Sequence, residues 1–372
     1  MNANNPHFPD ANFAHIMNQK TSSMFTPSHL LVARVAMAVA ICFSLLSCGG
    51  GGGGSSTAPA VAQPVPPSTP TPERPALPAP PARTAADVTF TQTTFGEGVS
   101  VDPATGSLYL GTRGDSAFAL LRASATETTF SNWLGAADIL PGAPASASLV
   151  VGTRVNDNAI YFCVSNPVTS TSKVMAYNLF TQAKVGDYAL PTGFCNDLAF
   201  DGGAGSLFVT VNRLGAGTEA IYKLSALQLR TGTAVAADWA IWYTPPAGFK
   251  LNGLSYDPLT FRMLWADVST PAPGNTKIQA SPTGGAVHNL VTLLSGLSVE
   301  VDGLQVNTNG NLIVVDASTG AKLINLATGV PGTVTNLTDG AACRTTVALY
   351  KLDAWCSDST GKVILLAGAA GL

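Results

Sequence analysis

The chain has 372 residues, 46% of them hydrophobic and only 11% charged, with a net charge of −3; a soluble domain averages about 25% charged. That balance excludes a basic field for nucleic acid, and 8% aromatic content argues against disorder throughout. With 37 glycines, 25 prolines and no long helix-forming run, bundles and coiled coils are excluded and a turn-rich, mostly β protein remains.

Residues 1–48 read as an export signal. Arg34 precedes an uncharged apolar run, VAMAVAICFSLL, at 35–46. Its length suits a signal h-region and falls short of the roughly 20 residues of a membrane span. Starts at Met17 or Met24 would shorten the long stretch before it. The run ends in Leu45-Leu46-Ser47-Cys48, which resembles the lipobox of bacterial lipoproteins. That resemblance implies lipidation of Cys48, and Gly49 after it implies the outer membrane. The chain would then be held at the bacterial cell envelope, its domain in the periplasm or at the surface. A buried core helix ending in a free cysteine is the plainer alternative. Residues 49–86 hold six consecutive glycines and then ten prolines between Pro59 and Pro81. Such a segment cannot bury a core and reads as an extended, solvated tether.

Cysteine use fits export. Beyond Cys42 and Cys48 there remain Cys163, Cys195, Cys343 and Cys356, an even number that an oxidising compartment would pair. Three connectivities are open; Cys163–Cys195 and Cys343–Cys356 are favoured as nearest in sequence. A zinc site competes weakly, because no C-x₂₋₄-C spacing occurs.

From residue 95 onward one pattern recurs: a small-residue turn, an apolar-Asp step, a Gly turn and a β-rich run. It appears at 97–112 (EGVSVDPATGSLYLGT), 196–212 (NDLAFDGGAGSLFVTVN), 252–268 (NGLSYDPLTFRMLWADV) and 302–317 (DGLQVNTNGNLIVVDA). A weaker copy lies at 155–166 and a degenerate one near 345–357. Aligning Asp102, Asp157, Asp201, Asp257 and Asn307 gives steps of 55, 44, 56 and 50 residues. Units of this size with several strands each point to a β-propeller. Residues 95–372 divide into six four-stranded blades of about 46 residues, the typical blade size; five or seven also fit. The expected fold is therefore an all-β, six-bladed propeller over 87–372.

The strings N-D-L-A-x-D, N-G-L-x-x-D and D-G-L-x-V resemble those of the SMP-30/gluconolactonase family of six-bladed propellers, with NHL-type propellers as cousins. The resemblance implies a metal-holding quartet on four blades: Glu97, Asn196, Asn252 and Asp302, all present in the family's order. It implies hydrolysis of a lactone or ester, with Asp302 as general base for the attacking water. Two departures stand out. Phe194 occupies the place of a substrate-holding basic residue, and Val99 replaces the proline after the first E-G.

The residues support the same quartet independently. Equivalent repeat positions in a propeller face one place near the axis. Four oxygen donors, two of them anionic, suit a hard divalent cation, Ca²⁺ before Zn²⁺ or Mn²⁺. Asn and Asp at strand starts also serve as plain turn residues, so a decayed site in a non-catalytic binding propeller is the competing reading. Asp197 reads as a strand-start turn residue, and Arg113 and Arg154, both in G-T-R steps, as solvated loop residues, with substrate contact the alternative for all three. His288, in AVHNLV, reads as a structural strand residue. Being the one histidine after the signal, it excludes a His-rich zinc site. No nucleophile elbow or phosphate loop occurs. Trp133, Trp239, Trp242, Trp265 and Trp355 are expected to pack between blades. The partners expected are a small lactone or ester and the membrane lipid, with the chain a monomer.

Overall fold

Short apolar runs bounded by Gly, Asp and Asn close hairpins rather than extend, and the chain does so six times. The computed structural model describes residues 87–90, 95–113, 118–141, 149–166, 169–212, 218–269, 274–297, 301–316, 318–326, 334–338, 343–358 and 361–371. The expected signal, Cys48 and the tether at 49–86 lie outside these.

Each blade is a four-stranded antiparallel sheet, and in blades 1 to 5 the strands run outward in chain order. The inner strands are Phe95–Val101, Leu149–Asn156, Phe194–Phe200, Phe249–Asp257, Val301–Val306 and Val347–Tyr350. Successive inner strands lie against one another, and the sixth returns to the first, so the ring is closed. Blades 1 to 5 take all four strands from one continuous stretch. Blade 6 has three of its own, and Val88–Thr89 from the other end of the chain pairs with Lys362–Leu366 as its fourth. The fold is thus the expected six-bladed propeller.

Among the described residues six apolar clusters form in place of a single core, one at each junction between neighbouring blades. A blade is therefore buried on both faces, which is why NLIVVD at Asn311–Asp316 is buried along its whole length. The tryptophans sit at these junctions as expected. Trp242 of blade 3 meets Trp265 of blade 4 edge to face at 5.4 Å between ring centres, and Trp355 is buried between blades 6 and 1.

The repeated Asp or Asn is a turn device. Asp102 accepts from Ala104 N–H at 3.0 Å, Asp201 from Gly203 at 2.9 Å, Asp257 from Leu259 at 2.9 Å and Asn307 from Asn309 at 3.0 Å. Each carboxylate or amide so caps the hairpin that follows the inner strand. Asp157 differs. Its hairpin has only two residues between the paired Asn156 and Ala159, and Asp157 adopts φ +53°, the left-handed backbone that Asp tolerates better than most side chains.

Both favoured disulfides are present among the described residues. Cys163 of blade 2 joins Cys195 of blade 3, and Cys343 joins Cys356 within blade 6, with Cα separations of 5.6 and 5.5 Å. One sequence reading is corrected: His288 lies in an exposed loop between Thr276–Pro282 and Val291–Leu297, not in a strand. Among the described residues no helix is long and apolar enough to cross a membrane.

Candidate functional site

Each of the first five inner strands carries a β-bulge near its start, seen as register shifts at Gly96/Val99, Val151/Thr153, Cys195/Asp197, Asn252/Leu254 and Val301/Gly303. A bulge leaves a residue unpaired and re-aims its side chain. Three of the quartet are unpaired bulge residues, Glu97 (with Gly98) on blade 1, Asn196 on blade 3 and Asp302 on blade 5; on blade 4 the unpaired residue is Gly253, and Asn252, paired with Ala266, directly precedes it.

Close backbone approaches show that the bulges face one another around the ring. A Cβ on Gly253 would stand 2.6 Å from the carbonyl oxygen of Asp302, and one on Gly303 2.6 Å from that of Thr345. A Cβ on Gly152 would lie 2.5 Å from the carbonyl of Asn196, and one on Gly98 2.7 Å from Gly152 N. Only glycine permits blades to meet this tightly. The ring thus reads Glu97, Val151, Asn196, Asn252, Asp302, Thr345, with the quartet on four of six blades.

Asn196 and Asn252 are in direct contact, the Asn196 Nδ2 donating to Asn252 Oδ1, which also accepts from Gly253 N–H at 3.1 Å. Glu97 and Asn196 are buried, 7% and 8% exposed, whereas Asn252 and Asp302 are half-buried. The donors therefore form a covered side and an accessible one. Among the described residues no group of three or more His, Cys, Asp or Glu side chains is placed to hold a metal. What the ring offers is a mixed set of two carboxylates and two carboxamides. Hard oxygen donors of this kind fit a divalent cation such as Ca²⁺, which accepts carboxylate and amide oxygens alike.

Two neighbours were misread from sequence. Asp197 is not a turn residue at a strand start; it lies inside Phe194–Phe200 and is 2% exposed. Its Oδ2 accepts from Leu254 N–H at 2.8 Å and its Oδ1 from Leu198 N–H at 2.8 Å. Burial pushes its carboxyl above the usual range, against the pull of Arg154 and these two N–H groups. Arg154 is not a solvated loop residue either. It belongs to Leu149–Asn156, its side chain is 13% exposed, and it pairs with Asp197 at 3.2 Å. The similar tripeptide at Gly111–Thr112–Arg113 is not equivalent, since it falls in the second strand of blade 1.

Sequence reasoning placed a degenerate copy near 345–357 but assigned it no ring residue. Thr345 holds the ring position there, its hydroxyl donating to Gly96 O at 3.2 Å and touching Ser357 Oγ. Thr346 Oγ1 accepts from Gly98 and Val99 N–H at 3.1 and 2.7 Å, joining blade 6 to blade 1. Aligning Thr345-Thr346 with N-D at 196 and D-G at 302 would have found both.

No protein-family model matches the chain, and no curated protein matches it. Solved structures do. A gluconolactonase from Xanthomonas campestris is similar with a TM-score of 0.52 at 16% identity, over 79% of this chain and 98% of that one. A nidogen/laminin complex is similar with a TM-score of 0.50 at 18% identity, over 72% of this chain and 91% of that one. Hydrazine synthase of Kuenenia stuttgartiensis gives 0.50 at 10% identity, over 74% and 84%. A gluconolactonase, a nidogen/laminin complex and a hydrazine synthase stand within 0.02 of one another in TM-score and all lie under 25% identity, so these likenesses establish the fold alone.

Proposed function

We propose that this propeller is a metal-dependent hydrolase that opens a lactone or ester, with Glu97, Asn196, Asn252 and Asp302 holding a divalent cation. The observation that carries the reading is the placement of four oxygen donors at or directly beside the bulge on four inner strands, two of them in contact. When bound, the cation supplies polarisation of the ester carbonyl and stabilisation of the developing oxyanion. Half-exposed Asp302 takes the proton of the attacking water. Glu97, under cover, adds the second negative charge. Phe194 offers no polar contact to a polyhydroxylated ring, so a less hydroxylated lactone is the better substrate class.

Calorimetric titration of Ca²⁺, Mn²⁺ and Zn²⁺ into the metal-stripped full chain, beside Asp302→Ala, tests this. One site per chain is expected, lost in the variant, together with hydrolysis in a panel of lactones and aryl esters. A folded protein that takes up no cation would sink the reading. A non-catalytic binding module would then remain, which the 11% charge content and Phe194 in place of a substrate-holding basic residue favour.

The same proposal includes anchoring at the cell envelope through lipid on Cys48, supported by Leu45-Leu46-Ser47-Cys48. Wild type should partition with membranes until detergent is added, and Cys48→Ser should not. Equal partitioning of the two would refute the anchor.

A further inference from the structure

Arg154 lies on the inner strand of blade 2, and Leu254 on that of blade 4. These blades are not neighbours, because blade 3 stands between them. A side chain that joins them must pass on the axial side of blade 3, so the guanidinium lies in the central channel. Its Nη2 donates to Leu254 O at 2.9 Å and to Asp197 Oδ2 at 3.2 Å, while Nη1 donates to Thr153 O at 3.0 Å. Three acceptors on three directions fix the plane of the group.

Asp197 completes the clamp by accepting from Leu254 N–H. Both the N–H and the C=O of Leu254 are thus held by side chains from other blades. Asp197 directly follows Asn196, and Leu254 follows Asn252 by two residues across Gly253, whose φ is +43°. Asn196 is pinned from its other side as well. Cys195 is tied to Cys163, and its N–H donates to Ser165 Oγ at 3.0 Å.

The ring itself shows that this clamp is more than blade packing. Glycine follows the ring residue on blades 1, 2, 4 and 5 (Gly98, Gly152, Gly253, Gly303), and close backbone approach makes the joint. On blade 6, neutral Thr346 makes it with one hydroxyl. Among the described residues only blade 3 uses a carboxylate, and only there does a cation from a third blade join in. A charged pair this deep is costly unless its hydrogen bonds are complete; a threonine would join blades without that cost.

We propose that Asp197 and Arg154 are positioning residues that hold the Asn196 and Asn252 carboxamides against each other as a preformed donor pair. The proposal rests on the cation-site reading above, but its geometry can be tested apart from it. In protein labelled with ¹⁵N-asparagine, the Asn196 side-chain amide should exchange slowly with solvent. In Arg154→Met/Asp197→Thr, which copies the neutral joint of blade 6, that exchange should rise at least tenfold while the unfolding midpoint changes little. Cation affinity should fall at least tenfold. Arg154→Lys keeps the charge but cannot satisfy three acceptors in one plane, and should show the same amide effect more weakly, whatever the double variant's stability. Unchanged amide exchange in folded Arg154→Lys and in the double variant would overturn the proposal. Wild type that binds no cation, but shows the amide effect on mutation, would sink the hydrolase reading and leave the positioning intact.

Discussion

The junction of blades 2 and 3 and that of blades 6 and 1 are held by opposite means. Between blades 2 and 3 runs the Cys163–Cys195 disulfide, and outside it a strap. Thr233–Ala234, from the connection before the last strand of blade 3, pairs in parallel with Lys184–Ala189 of blade 2. Tyr188 donates to Leu229 O and Trp239 Nε1 to Ala189 O, at 2.9 and 2.8 Å. The 6–1 junction has no covalent link among the described residues. There, two residues of Val88–Thr89 pair with blade 6 while Thr89 N–H donates to Thr128 O and its carbonyl accepts from Phe130 N–H, at 3.0 and 2.8 Å. A closed ring opens at its weakest joint, so the strapped junction cannot protect the one where the propeller's first and last strands meet.

That contrast predicts a ranking. Phe90, 5% exposed in the apolar cluster between blades 6 and 1, holds the short closing strand in place. Phe90→Ala should cost about 3–5 kcal/mol, as large-to-small changes of aromatic core residues do, and should raise hydrogen exchange first at 88–90 and 361–366. Removing the 2–3 disulfide as Cys163→Ala/Cys195→Ala should cost less in practice. Constraint of a 32-residue separation is worth at most about 3–4 kcal/mol by chain entropy, and the strap remains. Urea unfolding of both variants decides it. If the disulfide variant is the less stable and exchanges first at the 2–3 junction, the closing strand is not the weak joint.

The same two regions show what the sequence could reveal. Asp102, Asp201, Asp257 and Asn307 announce their hairpins because an Asx cap needs an acceptor at one fixed place, and the ring residues Glu97, Asn196, Asn252 and Asp302 stand five residues earlier in each copy. Blades 2 and 6 were faint because two-residue hairpins with Asp157 and Lys351 at positive φ need no such cap. Thr345 and Thr346 stayed hidden for the same reason. Arg154 and Asp197 were misread on different grounds. Their partners come from other blades, 43 residues apart for the ion pair and 100 for Arg154 with Leu254 O. Period and spacing carry local information, and a contact through the channel is not local.

A third junction sharpens the comparison through charge. Between blades 3 and 4, Asp267 is buried, and accepts from Tyr243 Oη at 2.6 Å, Trp265 Nε1 at 3.1 Å and Gln279 Nε2 at 3.2 Å. Burial raises its carboxyl above the usual range, and these donors together with Lys277 only partly oppose that. A folded-state value above the unfolded one means that the native state holds the proton more tightly. Its stabilising contribution is therefore present below the ordinary carboxylate range near 4 and is lost as pH rises through the elevated folded value. Asp267→Asn cannot ionise and escapes that loss. Its stability relative to wild type should rise from pH 4 to pH 7, by less than either change at the other two junctions, as read by urea midpoints at both pH values. A relative stability that falls over this interval would mean that the three donors outweigh burial, and that the carboxylate is the form this junction is built to hold.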